Sequence, residues 1–175
     1  MKNSNTILIV EDEEDILDLL EYTLSKEGYD VIACKDASNV RDVLDEEEIA
    51  LMLMDRNLPG VEGAQYVSQL RNEGYNQPVI YVSAKDSSDE IIEGFENGGD
   101  DYITKPFNLN ELKARVKSLL RRTQQKQDVT KYKDITYHSS NKTFTIADNE
   151  IKLTHLEHDL LLEFLKNKCV LLTRE

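Results

Sequence analysis

Short apolar runs alternate with stretches of helical periodicity as far as Arg122. The runs Ile7–Val10, Val31–Cys34, Leu51–Met54, Val79–Val82 and Tyr102-Ile103 are too short for buried helices and are bounded by polar or turn residues, so they predict strands. After the first run, Ile16, Leu19, Leu20 and Leu24 fall at helical spacing and Gly28 fits the helix end. Similar spacing predicts helices over roughly 37–46, 62–72, 87–97 and 109–122. The last opens with Asn108 and Glu111 in a capping-box-like arrangement and continues through Leu112, Val116, Leu119 and Leu120. Five strands alternating with five helices need crossover connections, which gives an α/β, doubly wound parallel sheet covered on both faces over residues 1–122.

The pattern then changes. "TQQKQDVTK", residues 123–131, is polar without apolar periodicity and reads as a linker. Residues 132–152 predict short strands, with alternation in "KTFTIA" and a turn at Asp148-Asn149. A helix follows in which Thr154 and Glu157 form a capping box and Leu156, Leu160, Phe164 and Leu165 supply the apolar face.

Composition narrows the setting. A chain of 175 residues holds one large domain, or one domain and a fragment. No apolar stretch approaches the roughly 20 residues that span a bilayer, and the amino terminus lacks a signal-peptide pattern, so a soluble cytoplasmic protein is expected. Cys34 and Cys169 show no metal-binding spacing and read as reduced core thiols. A net charge of −13 argues against coating nucleic acid by charge alone, although residues 105–133 hold 9 Lys/Arg against 2 Asp/Glu.

The acids gain meaning from where they fall. Asp55 closes the run "LMLM", Glu11 and Asp12 follow the first strand, Ser83 follows the fourth and Lys105 the fifth. Each has an ordinary reading: a loop start, an acid-rich helix start, a cap, a surface lysine. Together they stand at the carboxyl ends of strands in one sheet, where open α/β sheets bind their ligands. Carboxylates brought together there call for a hard cation such as Mg²⁺ or Mn²⁺, and a nearby lysine completes a phosphoryl site.

"ILIVEDEED", "LMLMDRNLPG", "VIYVSAKD" and "GGDDYITKPFNLNEL" resemble the signature segments of two-component response-regulator receiver domains, OmpR/PhoB subfamily, over residues 5–122. The resemblance implies strand order 2-1-3-4-5, with Asp55 as phosphoacceptor for a sensor histidine kinase. It implies Mg²⁺ on Asp12, Asp55 and the Asn57 backbone carbonyl, with Glu11 acting through water. Lys105 would contact the phosphoryl group, Ser83 would follow it, Tyr102 would be the aromatic switch, and Lys105-Pro106 would be cis. A homodimer through helix 4, strand 5 and helix 5 is also implied, yet helix 4 carries Glu90 and Glu93 where relatives commonly have a basic residue, and Glu111 has no evident partner there.

Residues 132–175 resemble the opening of the OmpR/PhoB winged-helix DNA-binding domain through "LTHLEHDLLLEFL" and the final "TRE", with His158 where an aromatic is usual. The chain stops before a recognition helix and wing, so the expectation is a truncated effector domain whose Leu156, Leu160, Phe164 and Leu165 lie in water, whose segment is mobile or packed against another molecule, and which does not discriminate DNA sequences. The leading expectation is thus a regulator that controls transcription by phosphorylation-dependent dimerisation and DNA binding. The alternative is a phospho-dependent protein-interaction module that binds no DNA, and whether the source gene continues past Glu175 separates the two. An enzyme acting on an external substrate is disfavoured. A haloacid-dehalogenase-type phosphatase needs an acid two positions after its nucleophile, where Asn57 stands, and the sequence lacks a G-x-x-x-x-G-K-[ST] phosphate loop.

Overall fold

The computed structural model describes residues 5–127, 129–139, 141–147 and 149–166. The chain divides into two compact units, Met1–Arg121 and Arg122–Glu175. Elements of the first are β1 (Thr6–Val10), α1 (Glu14–Lys26), β2 (Asp30–Cys34), α2 (Val40–Glu46), β3 (Ile49–Asp55), β4 (Asn57–Leu58), β5 (Val61–Glu62), α3 (Gly63–Glu73), β6 (Val79–Ser83), α4 (Ser88–Glu96) and β7 (Asp101–Thr104). Helix α5 (Leu109–Gln127) begins in this unit.

Five strands form one parallel sheet in the order β2-β1-β3-β6-β7. Counting only the strands of this sheet, that is the expected 2-1-3-4-5; the labels shift because the two-residue pair β4-β5 intervenes. Alternation along each strand sorts its side chains between two cores. Leu8, Val10, Met52, Met54, Val79 and Tyr81 face Val40 and Leu44 of α2 and Ala64, Val67 and Leu70 of α3. Their neighbours Ile7, Ile9, Leu51, Leu53, Ile80 and Val82 face Leu17, Leu20 and Leu24 of α1 and Leu112, Val116, Leu119 and Leu120 of α5. Burial on both faces explains why the central strands read as unbroken apolar runs.

Local signals hold at the helix ends. Gly28, at φ 90°, ends α1: its N–H reaches Ser25 O and that of Tyr29 reaches Leu24 O, a left-handed stop that glycine adopts without a Cβ penalty. Asn108 accepts from the Asn110 N–H at 2.8 Å, but Glu111 turns to Arg115 rather than completing a capping box. Helix α2 is shorter than expected, because Ser38 N–H and Oγ both bind the Asp36 carboxylate and keep the preceding residues in a turn. Cys34 is a free, half-buried thiol at the edge of the first core, where burial pushes its pKa up. Cys169 lies outside the described residues.

Apart from Asp128, which lies outside the described residues, the stretch expected as a linker is regular. Helix α5 continues to Gln127 and β8 (Val129–Tyr132) begins two residues on. Its Gln and Lys residues are good helix formers, and extending a helix already started needs no apolar stripe. In the second unit, β8, β9 (Ile135–His138), β10 (Thr143–Ile146) and β11 (Asn149–Ile151) form an antiparallel sheet in order β11-β10-β9-β8, followed by α6 (His155–Lys166). Asp148 of the expected turn lies outside the described residues. The Thr154–Glu157 capping box is present, with Glu157 Oε2 accepting from the Thr154 N–H at 2.8 Å and Thr154 Oγ1 from the Glu157 N–H at 3.4 Å. Leu156, Leu160 and Phe164 are exposed as expected, but Leu165 is buried against Tyr137 and Phe144, because its position on α6 turns it toward the sheet.

Candidate phosphoryl and metal site

Strand register alone assembles the site. Val10 pairs with Met54, so Glu11 and Asp55 leave adjacent strands side by side. Asp55 pairs with Val82, and Ser83 with Thr104, which sets Ser83 and Lys105 at the same edge. The order places β1 between β2 and β3, so the sheet reverses direction of growth at β1 and β3, and the crevice there is where a doubly wound sheet offers room for a ligand.

Lys105 is the hub. Its ammonium lies 2.7 Å from Asp55 Oδ2, 2.9 Å from Glu11 Oε1 and 3.1 Å from Glu13 Oε1. Burial alone would weaken that charge, but the Asp55 and Glu11 carboxylates outweigh it and hold the ammonium above the ordinary lysine range. Asp55 is 3% exposed, and its second oxygen accepts the Asn57 N–H at 2.8 Å. Glu11 is buried at 1% exposure, and that burial, with Asp55 repulsion added and Lys105 opposing, raises its pKa to about 7. The Lys105-Pro106 peptide is cis.

Oxygens of Glu11, Asp12 and Asp55 lie within 4.8 Å of one another. Glu11 Oε2 is buried and has no hydrogen-bond partner among the described residues. An orphaned carboxylate oxygen beside two further carboxylates is what a hard divalent cation satisfies, so these residues fit Mg²⁺.

Ser83 is fully buried and its Oγ accepts the Lys85 N–H at 3.2 Å. Tyr102 is turned inward, 7% exposed, and its hydroxyl donates to the Lys85 carbonyl at 3.0 Å. The two are therefore joined through Lys85. The structure gathers Glu11, Asp12, Asp55 and Lys105 directly, with Asn57 touching Asp55 through its N–H, while Tyr102 stands one residue chain removed.

The sequence reading passed over Arg56. It is the largest fully buried side chain of the protein's described residues, bonded to Glu62 at 2.8 Å, to Glu93 at 2.7 Å and to the Glu90 carbonyl. Glu93, one of four acids on an α4 that carries no basic residue, was the available signal, since carboxylates packed near the sheet call for a cation. Glu13 as a third partner of Lys105 also went unread, and Glu111, expected to lack a partner on α4, pairs with Arg115 on its own helix at 2.7 Å.

Comparison with known proteins agrees with this geometry. Residues 7–117 match the family model of the response regulator receiver domain. The Francisella response regulator 1452 receiver domain is 31% identical, with TM-score 0.65, over 67% of this chain and 98% of that one. The BeF3-activated N-terminal receiver domain of Klebsiella pneumoniae RstA is 30% identical, with TM-score 0.63, over 66% and 98%. DrrB of Thermotoga maritima, an OmpR/PhoB homologue, is 26% identical with TM-score 0.61 and aligns with 96% of this chain and 75% of its own. A doubly wound sheet carrying three carboxylates and a lysine at its switch point defines a signalling module of the receiver class. This chain belongs to the response regulator receiver domain family.

Proposed function

We propose that Asp55 accepts a phosphoryl group from a sensor histidine kinase and that the chain is an OmpR/PhoB-type response regulator. The observation that carries this is the pairing of a buried strand-end carboxylate with Lys105 at 2.7 Å beside Glu11 and Asp12. Asp55 Oδ2 is the nucleophile, and Lys105 is placed to meet the negative charge it gains. Asp12, Asp55 and the Asn57 carbonyl would hold Mg²⁺, with Glu11 assisting through water. The ion, when bound, supplies positive charge that offsets repulsion between the carboxylate and the phosphoryl oxygens. Ser83 would donate its hydroxyl to a phosphoryl oxygen, giving up the Lys85 N–H, and Tyr102 would respond through the Lys85 carbonyl it already holds.

The output reading rests on the second unit and on α4, β7 and α5. The antiparallel sheet, the Thr154–Glu157 box and the alignment with most of DrrB support residues 132–175 as the amino-terminal part of a winged-helix DNA-binding domain, after a receiver over 1–122 and a junction over 123–131. Ile92 and Phe95 are exposed on α4, and the Asp101–Arg115 pair at 2.8 Å stands between β7 and α5. The exposed apolar side chains of α4 support a phosphorylation-dependent homodimer on that face, in which Asp101 and Arg115 would exchange their internal pairing for cross-pairs, bringing two effector units to DNA to control transcription. No described helix is long and apolar enough to cross a membrane.

The test is exposure of the intact chain to acetyl phosphate with and without Mg²⁺, followed by intact mass. One phosphoryl group, dependent on the metal and absent in Asp55→Asn, is the expected result. Equal modification of Asp55→Asn at another acid would overturn the assignment.

A further inference from the structure

Arg56 follows the proposed phosphoacceptor directly, yet its guanidinium points away from that site into the sheet face beneath α4 and is fully buried. Burial works against its charge, but Glu93, Glu62 and the Tyr102 hydroxyl outweigh it and hold the group above the ordinary arginine range. Its bonds divide between two elements. Toward the phosphoryl side it holds Glu62, which caps α3 through the Gln65 N–H at 2.8 Å and takes the Lys85 ammonium at 3.3 Å. Toward the output side it holds the Glu90 carbonyl and Glu93 Oε2, both on α4.

Lys85 makes this a closed chain. Its N–H binds Ser83, its carbonyl binds Tyr102 and its ammonium binds Glu62. A displacement of Ser83 therefore shifts Lys85, and with it the carboxylate to which Arg56 is anchored. Helix α4 also sits low on the sheet: a Cβ at Gly94 would lie 3.2–3.3 Å from the Tyr102 and Tyr81 rings, so α4 follows any movement of Tyr102. A buried guanidinium with fixed donors has no water to replace a lost acceptor, so the network rearranges as a unit instead of loosening one bond at a time.

We propose that Arg56 is a positioning residue that couples the state of Asp55 to α4 through the Glu62–Arg56–Glu93 bridge. The inference rests on Asp55 being the phosphoacceptor. It assigns the coupling to an ion-pair bridge in which the Glu93 carboxylate and the Glu90 backbone carbonyl anchor an internal cation to α4.

The test is hydrogen exchange of the intact chain, with and without phosphorylation by acetyl phosphate and Mg²⁺, for the parent, Arg56→Met and Glu93→Gln, with phosphoryl occupancy read by intact mass. Arg56→Met keeps bulk and removes charge; Glu93→Gln alters only the half-exposed end of the bridge and so spares the fold if Arg56→Met does not. In the parent, phosphorylation changes exchange in residues 88–96 by about fivefold or more, the size of an ordinary coupling between sites. In both variants Asp55 occupancy is retained while that phosphorylation-induced difference collapses. A merely structural Arg56 would instead speed exchange in both states and leave the difference intact, which would overturn the proposal. A parent that is fully phosphorylated without any change in α4 would also overturn it while leaving Asp55 as phosphoacceptor. Failure to phosphorylate Asp55 would remove both.

Discussion

The Lys105 ammonium and the Asp55 carboxylate meet at 2.7 Å across fifty residues of chain, the ends of β7 and β3 being brought together over the intervening β6. Lys105 also neutralises Glu11, so one cation serves two buried carboxylates. Lys105→Met would leave both without a counter-charge. The variant is expected to lose about 3 kcal/mol of stability at neutral pH without divalent ions, the scale of breaking a buried pair, and to recover part of it in Mg²⁺. Urea denaturation followed by circular dichroism measures this, and a variant as stable as the parent without metal would contradict it.

Glu11 gives the site a pH dependence. Its pKa is raised from 4.5 to about 7, chiefly by burial. The folded protein therefore holds the proton more tightly than the unfolded chain, and the stability this contributes is complete below 4.5 and is lost as pH rises to about 7. In metal-free buffer the parent should lose stability across that window relative to Glu11→Gln, which cannot ionise. Parallel stability–pH curves for the two proteins would refute this. Mg²⁺ should weaken the dependence on the alkaline side by favouring the ionised form.

Gly63 fixes the loop that carries Asp55. A Cβ there would fall 2.1 Å from the Asp55 carbonyl oxygen and 2.9 Å from Arg56 Cα, and the Gly63 N–H donates to the Arg56 carbonyl at 2.8 Å. These are backbone atoms at the end of a central strand and cannot swing aside. Gly63→Ala should cost at least about 2 kcal/mol and reduce phosphoryl uptake at Asp55. Normal uptake with normal stability would show that the loop yields more easily than its packing indicates.

His158 sits edge-on to Tyr137 at 5.8 Å and Phe144 at 5.2 Å, with Nε2 buried and without a partner among the described residues. Replacing the ring by phenyl removes an unsatisfied polar atom and keeps the aromatic contacts. His158→Phe should stabilise the second unit by about 1 kcal/mol, at the cost only of the surface contact of Nδ1 with Asp159. Slower hydrogen exchange in residues 135–151 is the expected sign; faster exchange would mean that the nitrogen finds a partner in solution.

Much of the site was legible in the sequence because it is written in local patterns. Three four-residue apolar runs ending in acids or a hydroxyl, and a shorter fifth run shortly before a lysine, placed Glu11, Asp12, Asp55, Ser83 and Lys105 at one sheet edge, since strands buried on both faces leave no other place for polar residues. Helix caps such as Gly28 and Thr154 were equally local. The last turn of α5, residues 123–127, was missed because a polar helix extended from a packed one carries no periodic signal. Leu165 could not be assigned to the core from the stripe it shares with Leu156 and Leu160, because which side of a stripe is covered depends on the partner sheet. Only tertiary structure decided the role of Arg56. An arginine in a loop reads as solvated, and its burial depends on carboxylates six and thirty-seven residues away arriving at fixed distances once β3, α3 and α4 have packed.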